Sequence, residues 1–213
     1  MSSANSDADQ PKVRREGEHA RLVQFFQAIS AGNDEQAEAL CQQLTAADEA
    51  ALLDLLVTGH LDERWWSLRA LAQWGAAQSV VPVAAALDAA QKELRQVAAL
   101  TLGHLYMRVP QAVIPYLPRL AALLTDADGT VRQAAMMALS MCSDDAVPLL
   151  AEILAGSQQG ARTRAAQALR RIGSIPAAVV LYGYLEDANH LVRTHAYEAL
   201  DEMGLLENIL VTL

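Results

Sequence analysis

Cysteine, aromatic residues, basic charge and long apolar runs are all scarce in this chain, and each scarcity removes a class of function. The two cysteines, Cys41 and Cys142, stand far apart with no CxxC or other ligand spacing, which excludes a disulfide framework and a structural zinc site. Aromatics make up 5% of a sequence that is 53% hydrophobic. Most of the rest is alanine and leucine, a blend that favours close helix-on-helix packing over sheet. There is no uninterrupted run of about eighteen apolar residues, so no membrane insertion is expected. The opening MSSANSDADQPKVRRE lacks the apolar core of a signal peptide, and the cytoplasm is the expected compartment. Basic residues number 16 against 25 acidic ones, a formal charge of −9. The first residues add nothing to it, because Lys12, Arg14 and Arg15 offset Asp7, Asp9 and Glu16. With arginines spread thinly among acids there is no basic stripe for phosphates, which argues against DNA or RNA as a partner. Nothing pairs a nucleophile with its base, cradles a phosphate in glycines or clusters metal ligands, so no catalytic residue, metal or cofactor is expected.

What is abundant is repetition. Arg64, Arg95, Arg132, Arg162 and Arg193 recur at intervals of 31, 37, 30 and 31 residues. Each is followed seven positions later by a leucine (Leu71, Leu102, Leu139, Leu169, Leu200) and three positions later by a small residue (Ser67, Ala98, Ala135, Ala165, Ala196). A period of this length marks stacked supersecondary units, each burying its apolar face on its neighbours. Every unit opens with a helix of the form Arg-x-x-small-x-x-x-Leu. Four are followed by a second helix with proline near its first turn, in VVPVAAAL, VIPYLPRL, AVPLLAEIL and SIPAAVVL. Proline is tolerated there because the first-turn N–H has no intrahelical partner. Gly75, Gly173 and Gly204, each eleven residues after its arginine, fit left-handed helix ends. The longer second interval holds Pro110, Pro115 and Pro118, where a prolonged loop or a kinked helix is expected, with a change in superhelical curvature.

Three segments follow from this reading. Residues 1–16 are polar and read as a disordered tail. Residues 17–60 read as an N-terminal helical cap or divergent repeat. There Leu22, Phe25, Phe26 and Ile29 share one helical face, Gly32-Asn33 gives a stop, and a second helix runs over 34–44. Thr45 with Asp48 is a variant capping box ahead of a third helix carrying Leu52, Leu53, Leu55 and Leu56. Residues 61–213 read as the repeats.

An arginine near a helix N-terminus opposes the helix dipole, so it must serve another purpose. Its fork of five donors suits bridging the loop carboxylates and carbonyls of adjacent repeats, and a structural role is assigned to all five. On these residues, 61–204 resemble the HEAT repeat family, an armadillo-type fold, and more narrowly the short HEAT-like repeats of phycobiliprotein lyases. The family's diagnostic aspartate, six residues before the arginine, forms a hydrogen-bonded ladder between repeats. It is present as Asp126 before Arg132 in TDADGTVRQAA and as Asp187 before Arg193 in EDANHLVRTHA. Thr58, Ala89 (with Asp88 adjacent) and Gly156 depart from it, so a partial ladder is expected.

The resemblance implies an all-α, right-handed α-solenoid of about five HEAT-like helical hairpins behind the N-terminal cap. It also implies a non-enzymatic protein-binding scaffold or assembly module, with another protein held in a groove of second helices. Two enzyme-class readings stand beside it. One is a factor handling a bilin or other tetrapyrrole chromophore, implied by the repeat subtype; the other is a HEAT-like DNA glycosylase, which the acidic charge disfavours. A di-iron centre of the deoxyhypusine hydroxylase kind would need repeated His-Glu dipeptides, and none of His19, His60, His104, His190 and His195 precedes a glutamate.

Candidate partner-binding residues come from helix periodicity. Ile114, Leu117, Leu120 and Leu124 occupy the apolar face of one second helix, which leaves Tyr116 and Arg119 to the groove. Glu152, and then Tyr184 with Glu186, take similar places in the next two units. All three tryptophans fall in one unit. Trp66 and Trp74 share a face and read as core, whereas Trp65 points elsewhere and is a candidate anchor for a partner. Leu206, Ile209, Leu210 and Leu213 form a closing apolar face, read either as packing on the preceding helix or as a surface for self-association.

Overall fold

The computed structural model describes residues 10–206, with side chains from residue 20 onward, and among the described residues it is helical with no strand. The expected disorder of the first residues, and Ile209, Leu210 and Leu213 of the closing apolar face, lie outside the described residues. The chain divides into two compact units, Met1–Pro82 and Val83–Leu213.

In the first unit, α1 (Gln10–Ser30), α2 (Asp34–Cys41), α3 (Glu49–Thr58) and α4 (Leu61–Trp74) pack together. α1 begins at Gln10, inside the segment read as a tail; the Lys, Arg, Glu and Ala residues ahead of Leu22 are good helix formers and carry the helix back from its apolar part. Phe25, Ala28 and Ile29 are buried. Gly32, at φ +65°, ends α1, and the Asn33 side chain accepts the Gln36 N–H at 3.1 Å to start α2, which stops at Cys41. The capping box is formed: the Thr45 N–H donates to the Asp48 carboxylate at 2.8 Å, and the Ala47 N–H to the Thr45 hydroxyl at 3.3 Å. Trp66 meets Phe25 edge-on with ring centres 6.2 Å apart, and Trp74 Nε1 donates to the Cys41 carbonyl at 3.1 Å, so both tryptophans of the shared face look onto α1 and α2.

Gly75 departs from expectation. It is extended (φ −65°, ψ 147°), while Gly173 and Gly204 are left-handed as expected. The reason is Glu49 at the start of α3, a buried carboxylate that accepts the Ala76 N–H at 2.7 Å, the Gln78 side-chain amide at 2.6 Å and the Ser79 hydroxyl. These three bonds pull the chain straight out of α4 and leave no room for a left-handed exit.

The division between units falls within α5 (Val80–Ala85). The second unit continues through α6 (Lys92–Tyr106), α7 (Pro110–Val113), α8 (Leu117–Ala122), α9 (Gly129–Met141), α10 (Val147–Ala155), α11 (Gln159–Ile172), α12 (Ile175–Tyr182) and α13 (His190–Glu202). Helices α6, α9, α11 and α13 pack in succession, and α10 and α12 pack against α11 and α13. The three prolines break one second helix into α7, α8 and tight turns at Ile114–Tyr116 and Leu123–Thr125, so the kinked-helix alternative is the one realised.

Every register arginine is the fourth residue of its helix, α4, α6, α9, α11 or α13. Its N–H makes the first helical bond, to the carbonyl of His60, Gln91, Asp128, Gln158 or Asn189, at 2.9 to 3.2 Å. The small residues three positions on are completely buried, and so, within 2% exposure, are the leucines seven positions on. Each such leucine contributes roughly 2 kcal/mol of apolar transfer.

The ladder has a defined sense. Arg95 Nε and Nη2 donate to both carboxylate oxygens of Asp126 at 2.8 and 2.9 Å, so the aspartate is held by the arginine of the preceding repeat. Its own repeat's arginine, Arg132, donates instead to the Asp126 and Ala127 carbonyls, at 2.6 and 2.9 Å. The motif repeats at Asp187, whose carboxylate pairs with Arg162 while Arg193 binds the Asp187 and Ala188 carbonyls. Asp88 lies off the ladder and pairs with Arg119.

Bonding from Arg95 holds the Asp126 carboxyl below its ordinary value. A depressed carboxyl contributes stability that is complete above its unfolded value of about 4 and lost as pH falls through the folded value. Asp126→Asn is expected to cost about 1–3 kcal/mol at neutral pH and to flatten the loss of stability below pH 4, read by urea unfolding across pH. Glu49→Ala, which strands three donors, is expected to cost about 2–4 kcal/mol in the same assay, with Glu49→Gln recovering part of it.

Candidate binding surface

A cleft of about 390 Å³ opens in the second unit between α8 and α10. Pro118, Ala121, Ala122, Leu124 and Thr125 form one wall, Leu149 and Ile153 the other, and Gly156, Ser157, Gln158 and Ala161 close one end. Its origin is local. The prolines shorten α8, and alanines stand where larger residues would meet the side chains of α10, so the two second helices fail to fill the space between them. Beneath it Leu120, Leu150 and Leu154 are fully buried and fix both helices. An apolar slot with Thr125, Ser157 and Gln158 at its edge suits an aliphatic side chain on a polar backbone.

None of the six residues expected to bind a partner lines this cleft. Glu152 is exposed on α10, next to the lining Ile153. Tyr116 is half-buried in the turn before α8. Arg119 is held by Asp88 rather than left to a groove. Tyr184 and Glu186 are not on a second helix, because α12 ends at Tyr182 and both sit in the turn that follows. The aromatic exposed on α12 itself is Tyr182, which lines an apolar pocket of about 300 Å³ with Ile175, Ala178, Val179, Leu200 and Leu205. Trp65 is half-buried and lies edge-on to Trp66, ring centres 5.0 Å apart. Sequence periodicity missed Leu149 and Ile153; Gly156, at the cleft's end, is one of three departures from the aspartate pattern and does not by itself mark them.

The remaining chemistry is subdued. Among the described residues no group of three or more His, Cys, Asp or Glu is placed to hold a metal ion, and no helix is long and apolar enough to cross a membrane. His60, His104 and His190 are exposed, and the side chain of His19 lies outside the described residues. His195 is lowered by burial, against the pull of Glu198, whose carboxylate lies 3.7 Å from Nδ1. Tyr106 donates to Asp145 at 2.7 Å and is pushed up, chiefly by burial. Cys41 and Cys142 are free and fully buried, and burial pushes their thiols up to about 11 and about 12. Thiolate is the reactive form. Both thiols are therefore expected to resist a thiol-reactive chromogenic disulfide at pH 8 in the native protein and to react fully in denaturant, with absorbance counting the released thiolate.

Residues 117–201, which run from the start of α8 into α13 and hold the cleft, match the family model for HEAT repeats. The crystal structure of YIBA from Escherichia coli is similar, with a TM-score of 0.61 and 15% identity over 99% of this chain and 81% of that one. A crystallised engineered protein gives a TM-score of 0.50 and 20% identity over 78% of this chain, which spans about half of the engineered one (52%). At these identities the likeness is one of fold. No curated protein sequence matches.

Proposed function

We propose that this protein is a non-enzymatic scaffold or assembly module, an α-solenoid of about five HEAT-like hairpins with an N-terminal helical cap, that holds another protein along its second helices. The observation that carries this reading is the apolar cleft between α8 and α10, set inside the stretch that matches HEAT repeats. Rigid helices on both sides present the cleft without a large ordering penalty on the scaffold, which favours affinity from preorganisation. We place the protein in the cytoplasm, where a reduced environment agrees with two buried free thiols.

The test is affinity capture from native lysate with the wild-type chain, Ala122→Glu in the exposed wall of the cleft, and Gln133→Glu on the exposed side of α9 as control, circular dichroism verifying each fold. A stoichiometric protein that accompanies wild type and control and is lost with Ala122→Glu is the expected result. Retention by Ala122→Glu removes the cleft as the working surface. Purification with visible absorbance and no protein partner replaces the scaffold with the chromophore-handling factor.

A further inference from the structure

Two seams of the second unit carry the same rung: Arg95 on Asp126 and Arg162 on Asp187. The seam between them does not. Gly156 stands at the aspartate's position, in the same backbone turn: its N–H donates to the Ile153 carbonyl at 3.1 Å, as Asp126 does to Leu123 at 3.1 Å and Asp187 to Tyr184 at 3.2 Å. Arg132, the fourth residue of α9, sits where Arg95 and Arg162 reach their aspartates. It binds two main-chain carbonyls through Nη1 and has no carboxylate partner among the described residues.

A second rung is missing at the same seam. Lys92 pairs with Asp128 at 3.1 Å, and Gln159 accepts from Asn189 at 2.9 Å. At the middle seam the corresponding residues are Gly129 and Gln158, and Gly129 has no side chain to offer. A further cation stands nearby instead. Arg164 occupies the register place that Val97 and Ala134 hold in their helices; burial disfavours its charge first, and Arg132 disfavours it further. Thus a chain of formal charge −9 keeps Arg132 and Arg164 together at the seam where its neighbours place an acid; neither arginine lines the cleft, but Gly156, which holds the acid's position, closes one end of it with Ser157 and Gln158.

We propose that the missing carboxylate is supplied by the partner. An acidic peptide segment lays an aliphatic side chain between α8 and α10 and sets an aspartate or glutamate against Arg132, completing in trans the rung that Gly156 omits. This rests on the protein-binding reading and names its ligand chemistry. An arginine–carboxylate fork is directional and strong once water is excluded, so it fixes the register of a peptide whose aliphatic anchor alone would slide.

The experiment is selection of a displayed random peptide library against the full chain, followed by titration of the enriched peptides. Peptides with Asp or Glu beside Leu, Ile or Val are expected, and replacing the acid by its amide should weaken binding about tenfold. Arg132→Gln should do the same. Gly156→Asp keeps Arg132 but supplies the rung in cis, and it should abolish binding while raising the melting temperature; its new Cβ would lie 3.1 Å from the Ile153 carbonyl, a contact a small turn adjustment relieves. Enriched peptides without an acid, binders indifferent to both variants, or no enrichment would each overturn the proposal. Binders that ignore these variants yet compete with a captured protein would leave the scaffold reading standing. Displacement of the acidic peptides by a single-stranded oligonucleotide would assign Arg132 to phosphate and also overturn it.

Discussion

The arginine at the fourth position of each first helix organises everything around it. Its N–H closes the first turn onto the residue before the helix, its guanidinium binds carbonyls of the loop it has just left (Arg95, Arg132, Arg193) or of the helix before that loop (Arg64 to Leu56, Arg162 to Leu154), and at two seams it also crosses to the next repeat. Placing a cation at a helix N-terminus works against the helix dipole by a fraction of a kcal/mol. Charge-assisted hydrogen bonds to one or two main-chain carbonyls are worth more. The sequence position is therefore explained by what lies beside the helix. Once the loop is fixed in this way, the small residue three positions on can approach the neighbouring helix closely, and the leucine seven positions on lands in the core.

Much of this was legible in the sequence because it is periodic. The arginine, small residue and leucine of each unit predict five first helices, and all five are found, their register positions buried as the pattern requires. The capping box at Thr45 was readable because it is local chemistry between residues two or three apart; Asn33, legible only as part of a stop, also caps α2. The exit from α4 was not, because Gly75 is governed by Glu49, far away along the chain and hidden among leucines. A lone buried carboxylate in an apolar helix gives no signal of which donors it will find.

The same limit applied to the binding surface. Tyr116, Arg119, Tyr184 and Glu186 are polar residues opposite an expected apolar face, but second helices here are short and interrupted, so a period of 3.6 residues loses its phase within a turn or two. Arg119 was already claimed by Asp88, and Tyr184 fell beyond the end of α12. What the sequence did disclose was the break in the aspartate pattern. The pattern departs at Thr58, Ala89 and Gly156 alike, and nothing in the sequence singles out Gly156 as the one that stands at the end of the cleft.

The middle seam has a thermal character of its own. Its flanking seams combine apolar contact with charged side-chain pairs, whereas among the described residues α9 and α10 are joined to α11 and α12 by no ion pair and no hydrogen bond between two side chains, although Arg162 Nε of α11 donates to the Leu154 carbonyl of α10 at 2.8 Å. Apolar association weakens on cooling because its driving force near room temperature is entropic. In a stack whose stability sums over neighbour interfaces, the weakest coupling decides where cooperativity breaks. Cold, more than heat, is therefore the condition under which α6–α10 and α11–α13 would begin to respond as separate blocks, with glycines at 129, 156 and 160 marking the line of parting.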